Sequence, residues 1–224
     1  MTANNKSKIK IALFDVDETL LLSNSMLDFI DFFFMDYYGQ KSGKIKHDKY
    51  KISLLGSKDK REDLNRLYYT HFKDIKKTTL DDLGKKWFEQ ALSKNKLLFN
   101  PFVLNRLIKH KQNDYRVVLV SGGFFGPLNP IVDYLDINDL LCVKPVVHHG
   151  VLTGEIEGIQ TIGEGKVAAI LNHLNKEQVD WHSSFAYGDH ISDLAMLNRV
   201  GNPVVVGNDK KLLQIAKEQH WEYI

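Results

Sequence analysis

The chain has 224 residues, 43% of them hydrophobic and 26% charged, with 30 Lys+Arg against 28 Asp+Glu and one cysteine. This composition excludes a disordered, collagen-like or disulfide-stapled protein, and Cys142 alone cannot close an internal disulfide. A net charge of +2 gives no basis for nucleic-acid binding, no apolar run approaches the ~18–20 residues of a membrane span, and MTANNKSKIK lacks an apolar signal core, so a cytoplasmic location is expected. The length suits one large domain, or one domain with a sizeable insertion.

In chain order, Lys8–Phe14 reads as a short buried strand that runs straight into Asp15-Val16-Asp17-Glu18-Thr19. Residues from about Ser25 to Lys96 lack short strands and carry apolar residues at helical spacing, such as Leu27, Ile30 and Phe34. They read as an inserted module of several helices. Asn100-Pro101 has the form of a helix start, with Asn as N-cap and Pro at the first helical position, leading through Phe102–Lys111. Arg116–Val120 is a second strand ending in Ser121-Gly122-Gly123, and HHGVLTGEIEG, between His148 and Gly158, suggests a small β-hairpin. Ser184–Tyr187 ends in Gly188-Asp189, Pro203–Val206 ends in Gly207-Asn208, and helical patterns over Asp193–Val200 and Asp209–Gln219 follow them. Alternating short strands and helices imply an α/β core with a mainly parallel sheet, formed by residues 1–24 and 97–224, with residues 25–96 as the helical insert. In such sheets ligands sit at the carboxyl ends of the strands, where the polar clusters fall.

Four clusters stand out: Asp15-x-Asp17-x-Thr19, Ser121-Gly122-Gly123, Lys166 and Gly188-Asp189-x-x-x-Asp193. Each alone is a common turn or helix start; all four in this order, each at a strand end or helix start, fit phosphoryl transfer to an aspartate. That reaction needs an in-line nucleophile, neutralisation of the phosphoryl oxygens and a proton for the leaving alkoxide. Asp15 is the candidate nucleophile. Asp17 is the candidate general acid and base. Thr19, Ser121, Gly122, Gly123 and Lys166 form the expected phosphate- and substrate-binding set, the glycines letting backbone N–H groups approach and Lys166 supplying a point charge.

Four aspartates against one lysine leave about three surplus negative charges, which would repel a phosphate dianion. A divalent cation is therefore expected, and oxygen donors without His or Cys select Mg²⁺. The expected ligands are the Asp15 carboxylate, the Asp17 backbone carbonyl and Asp189, with Asp193 acting through water or by orienting its neighbours.

These residues resemble the four motifs of the haloacid dehalogenase superfamily. Within it VSGGF, HGVLTGEIEG and the run from Tyr187 to Leu212 are similar to subfamily IB, the phosphoserine-phosphatase-like group. The resemblance implies a Rossmann-like core, an inserted helical cap of the C1 type, Mg²⁺, and hydrolysis of a small phosphorylated metabolite through an aspartyl-phosphate. Phosphoserine phosphatases carry a Glu after the first motif that holds the substrate ammonium. Here Asn24 and Ser25 stand in that stretch, so phosphoserine is expected to be a poor substrate.

Other features have plainer readings. Residues 41–61 hold eight Lys/Arg against Asp48 and Asp59, which suits a solvated face better than steering of an anion. Phe32-Phe33-Phe34 and Tyr37-Tyr38 suit a helical core better than a substrate wall. His148 and His149 have no partners at metal-ligand spacing and read as exposed turn residues, His190 falls beside the motif at Asp189, and Cys142 reads as a small buried hydrophobe. Among other functions, a dehalogenase would not need Asp17, a receiver-type signalling module would be shorter and uncapped, and a phosphotransferase of the same superfamily would share every motif.

Overall fold

Four consecutive apolar residues, Ile11–Phe14, form the central strand β1 of the computed structural model, which describes residues 8–55, 61–94 and 99–224. All four are buried, as a strand covered on both faces requires. The two-residue repeat divides them: Ala12 and Phe14 join one apolar cluster, Ile11 and Leu13 another, so each face of the sheet has its own core.

The sheet has seven strands in the order β4-β3-β2-β1-β5-β6-β7. Beside β1 these are β2 (Arg116–Phe124), β3 (Asp139–His148), β4 (Val151–Glu157), β5 (Phe185–Gly188), β6 (Asn202–Val205) and β7 (Glu222–Tyr223). Every neighbouring pair is parallel except β3 and β4, giving the Rossmann-like, mostly parallel α/β architecture expected. β1 lies between β2 and β5, so the carboxyl ends of three motif-bearing strands adjoin at the point where the winding order reverses.

Two local readings change. The hairpin is not contained in His148–Gly158: its first strand is β3, Val151–Glu157 is a single second strand, and the turn lies at His149-Gly150, with φ of 48° and 79°. Pro145 inside β3 hides that strand in the sequence, and the register shifts beside it. The helix expected over Asp193–Val200 is a short 3-10 turn at Ile191–Asp193 followed by α8, Leu194–Leu197.

The remaining helices are α1 (Ser25–Tyr37), α2 (Gln40–Leu55), α3 (Arg61–Thr70), α4 (Lys77–Ser93), α5 (Pro101–Gln112), α6 (Phe125–Leu135), α7 (Glu164–His173) and α9 (Lys210–Glu218). Caps set several starts: Asn24 accepts from Leu27 N, Asn100 from Phe102 N with Pro101 first in the helix, and Asp209 from Leu212 N. The aromatics of α1, α3 and α4 do not make a separate core. Phe29, Tyr68 and Phe72 surround Phe124 of β2 at ring-centroid distances of 5.9, 6.1 and 5.2 Å, in the same cluster as Ala12 and Phe14. Phe33 and Phe34 are buried there too, as the plainer reading expected, while Tyr37 is exposed. Helices α1–α4 therefore rest on one face of the sheet, above the strand ends.

Candidate active site

Asp15 is the first residue after β1, and its backbone N–H donates to the Tyr187 carbonyl of β5 at 3.0 Å, which fixes where the strand ends. Val16–Leu20 then forms one wide turn, with Glu18 at φ 62°, that carries Thr19 beneath Asp15. The buried Thr19 hydroxyl donates to Asp189 Oδ1 at 3.0 Å. Asp189 follows Gly188, the last residue of β5, and Gly188 is there for a steric reason: a Cβ on it would lie 2.6 Å from the Cβ of Asp193. That gap lets Asp193 fold back beside Asp15.

Lys166 enters from the first turn of α7. It can do so because Gly165 presses against the Gln160 carbonyl, where a Cβ would stand 1.8 Å away. The ammonium bonds Asp15 Oδ1 and, at 2.6 Å, Asp193 Oδ1, with only 3% of the residue exposed. Burial alone would lower the Lys166 pKa, but the two carboxylates outweigh it and hold the ammonium charged. Asp15 is pushed well above the usual carboxylate range, first by burial and then by Asp193 and Asp189, against the opposing pull of Lys166. Asp189 is raised to about 6, by burial and then by Asp193, with the Thr19 hydrogen bond acting the other way. One lysine does not balance this cluster.

Among the described residues, Asp15, Asp189 and Asp193 are the group whose carboxylate oxygens could share a metal ion, all within 4.8 Å of one another. Three hard oxygen donors held this close together fit a divalent cation, which would relieve their mutual repulsion. Asp17 points elsewhere: its Oδ1 accepts from Ser25 N at 2.7 Å, at the start of α1. Burial raises its pKa above the ordinary carboxylate value, and the Ser25 hydrogen bonds only moderate that.

The Ser121-Gly122-Gly123 segment closes the opposite side. Ser121 Oγ accepts from Gly123 N at 2.9 Å, which leaves its own proton free to donate. Helix α3 holds the same peptide from above: Asn65 Nδ2 and the Tyr69 hydroxyl each donate to the Gly122 carbonyl, both at 3.0 Å. Neither residue belongs to a recognisable motif. The two stand one helical turn apart, and nothing in the sequence connects them to a backbone carbonyl of β2.

Asp15, Asp17, Gly122 and Lys166 open into a cavity of about 480 Å³ that α1, α2 and α3 cover. His190 lines it, and its Nδ1 accepts from Ser192 N at 3.1 Å and faces Arg61 Nη1 at 2.8 Å. Arg61 also bonds Ser192 Oγ at 3.2 Å, so it bridges α3 to the loop between Asp189 and Asp193. In the basic stretch 41–61, the lysines of α2 are exposed, as a solvated face requires, and among its described basic residues only Arg61 lines the cavity; Lys58 and Lys60 lie outside the described residues. His148 and His149 are exposed at the hairpin turn. Cys142 is half-buried, its thiol pushed up to about 11 by burial.

A parallel sheet carrying an aspartate-lysine cluster at adjoining strand ends defines a class of hydrolase, and comparison with known proteins agrees. Residues 12–198 match the haloacid dehalogenase-like hydrolase family, and the chain belongs to that family. It is 27% identical over 219 residues to a Mycobacterium tuberculosis protein named probable phosphatase, an alignment covering 94% of this chain and 73% of that one. It is 28% identical over 147 residues to the phosphoserine phosphatase of Methanocaldococcus jannaschii, covering 57% and 69%. A Bordetella pertussis protein of unknown function superposes with a TM-score of 0.83 at 21% identity, covering 97% of this chain and 99% of the other. A phosphoserine phosphatase solved as a phospho-aspartyl intermediate analogue superposes at 0.62, also at 21% identity, covering 97% and 93%.

Proposed function

We propose that the protein is a Mg²⁺-dependent phosphatase that hydrolyses a small phosphomonoester through an aspartyl-phosphate on Asp15. The observation that carries this reading is the single cluster at the ends of β1 and β5, where Lys166 joins Asp15 to Asp193, Asp189 stands beside them, and Gly122 of β2 lines the same cavity. In the first step an Asp15 carboxylate oxygen attacks phosphorus, the bond to the ester oxygen breaks, and Asp17 gives its proton to the departing alkoxide. In the second, water attacks phosphorus, Asp17 takes back a proton, and inorganic phosphate leaves with Asp15 restored. Ser121, the Gly122 N–H and Lys166 hold the phosphoryl oxygens, the Gly123 N–H orienting the Ser121 hydroxyl; Thr19 keeps Asp189 in place. Mg²⁺ held by Asp15, the Asp17 carbonyl and Asp189, with Asp193 orienting the site, would supply the positive charge that admits a dianionic ester.

In this reading residues 25–96 are a cap over an α/β core made of 1–24 and 97–224, and the substrate is a cytoplasmic metabolite. Among the described residues no helix is long and apolar enough to cross a membrane. Asn24 supports phosphoserine as a poor substrate, because its carboxamide oxygen is engaged by Leu27 N at 3.1 Å and carries no charge for an ammonium. The test is hydrolysis of an aryl phosphate by the full chain. Activity should require Mg²⁺, disappear with EDTA, and fall by at least about 10³-fold in Asp15→Asn; an Asp15→Asn variant as active as the parent would overturn the assignment.

A further inference from the structure

Resting on that reading, we infer that the alcohol released by the enzyme has an apolar body and no cationic group. The cavity has two unlike sides. Its floor is Asp15, Asp17, Gly122 and Lys166, which the phosphoryl group would fill. The facing wall, from α1, α2 and α3, presents Met26, Tyr50, Leu54, Leu64 and Tyr68 to whatever the phosphate is attached to.

Several polar groups of that wall are already engaged within the protein. The Tyr68 hydroxyl donates to the Met26 carbonyl at 3.0 Å, so the residue offers a ring and not a hydroxyl. The Asn65 amide nitrogen is held by the Gly122 carbonyl, and its Oδ1, unpartnered among the described residues, is buried without accessible surface. The Asn24 oxygen is used by Leu27 N. Charge offers an ammonium no clear site either, because outside the aspartate-lysine floor the charged groups lining the cavity, Arg61 and Glu18, are of opposite sign. A polar leaving group would lose water here and find few free partners on this wall, whereas an apolar one loses little and is drawn out of water by contact.

A homologous series tests this directly: phosphate release from n-alkyl phosphates of two to eight carbons, whose leaving-group chemistry is nearly constant. With Mg²⁺ and the full chain, kcat/KM should climb about threefold to fourfold for each methylene that enters the cavity, until the chain outgrows it. n-Propyl phosphate should exceed phosphoethanolamine, which has an ammonium in place of the terminal methyl, by at least tenfold. Leu64→Asn and Leu54→Asn should each flatten the series, and Ile52→Asn, on the exposed side of α2, should leave it unchanged. A flat series, or a preference for phosphoethanolamine, overturns the inference while leaving the phosphatase reading intact. A wall substitution that folds, judged by circular dichroism, and keeps the full slope also overturns it. Failure to hydrolyse any ester overturns the phosphatase reading and this inference with it.

Discussion

The two sides of the cavity are built on opposite principles. At the strand ends, charges are buried and held by one another: Lys166 lies between two carboxylates, and Thr19 and Asp189 support them from below. On the helical side, buried polar groups are neutral, are tied to backbone carbonyls, and leave hydrocarbon facing the cavity. On the proposed reading, reaction chemistry and substrate choice fall to separate parts of the chain, so substitutions in the two should fail in different ways.

The largest effect is expected at the charged side. Lys166→Met would leave Asp15 and Asp193 buried without their cation, and both turnover and folding should suffer. We expect at least a 10²- to 10³-fold loss of kcat, and a stability loss of about 3–5 kcal/mol measured by urea denaturation without metal. A variant with parental stability would break the claim that this cluster is held together by Lys166.

A smaller and different effect is expected from the helical side. Tyr69→Phe removes one of two donors to the Gly122 carbonyl, whose peptide N–H in turn orients Ser121. Losing one such bond should lower kcat/KM by roughly threefold to tenfold, equally for every substrate, and weaken competitive inhibition by inorganic phosphate to the same extent. A loss that grows with alkyl length would instead place Tyr69 among the substrate-contacting wall.

The last effect is on pH stability, and it belongs to neither side. His110 of α5 lies under the sheet with its Nε2 against the Tyr187 hydroxyl at 2.8 Å, and burial, aided by Arg106, lowers its pKa to about 4. The folded protein therefore keeps His110 neutral where the unfolded chain takes up a proton. Its contribution is complete above about pH 6.5 and is lost as pH falls from there to about 4, worth of the order of 1–3 kcal/mol. Melting temperatures of His110→Gln should fall less steeply than the parent's over that interval; identical slopes would contradict the account.

The charged side was legible in the sequence because its chemistry demands particular residue types at strand ends. Asp15, Ser121, Lys166 and Asp189 announce themselves by type, order and position, and β1 and β5 by short apolar runs that stop at them. The glycines that make the arrangement possible, Gly165 and Gly188, become intelligible only when the neighbouring Gln160 carbonyl and the Asp193 side chain are in place. The helical side was not legible. Periodicity marks an apolar face in this segment, but not that Asn65 and Tyr69 reach the carbonyl of Gly122, more than fifty residues away. Arg61 was read as part of a basic run because its partners, His190 and Ser192, lie on the far side of the chain. β3 escaped notice because Pro145 interrupts a pattern that tertiary pairing nonetheless completes.

The claim on which the rest depends is that Asp15 receives the phosphoryl group. Acid quenching during turnover of an aryl phosphate, followed by peptide mass mapping, tests it most directly. One phosphoryl group should be found on Asp15 and be absent from the Asp15→Asn variant. A phosphoryl group on Ser121 or any other residue would contradict the account.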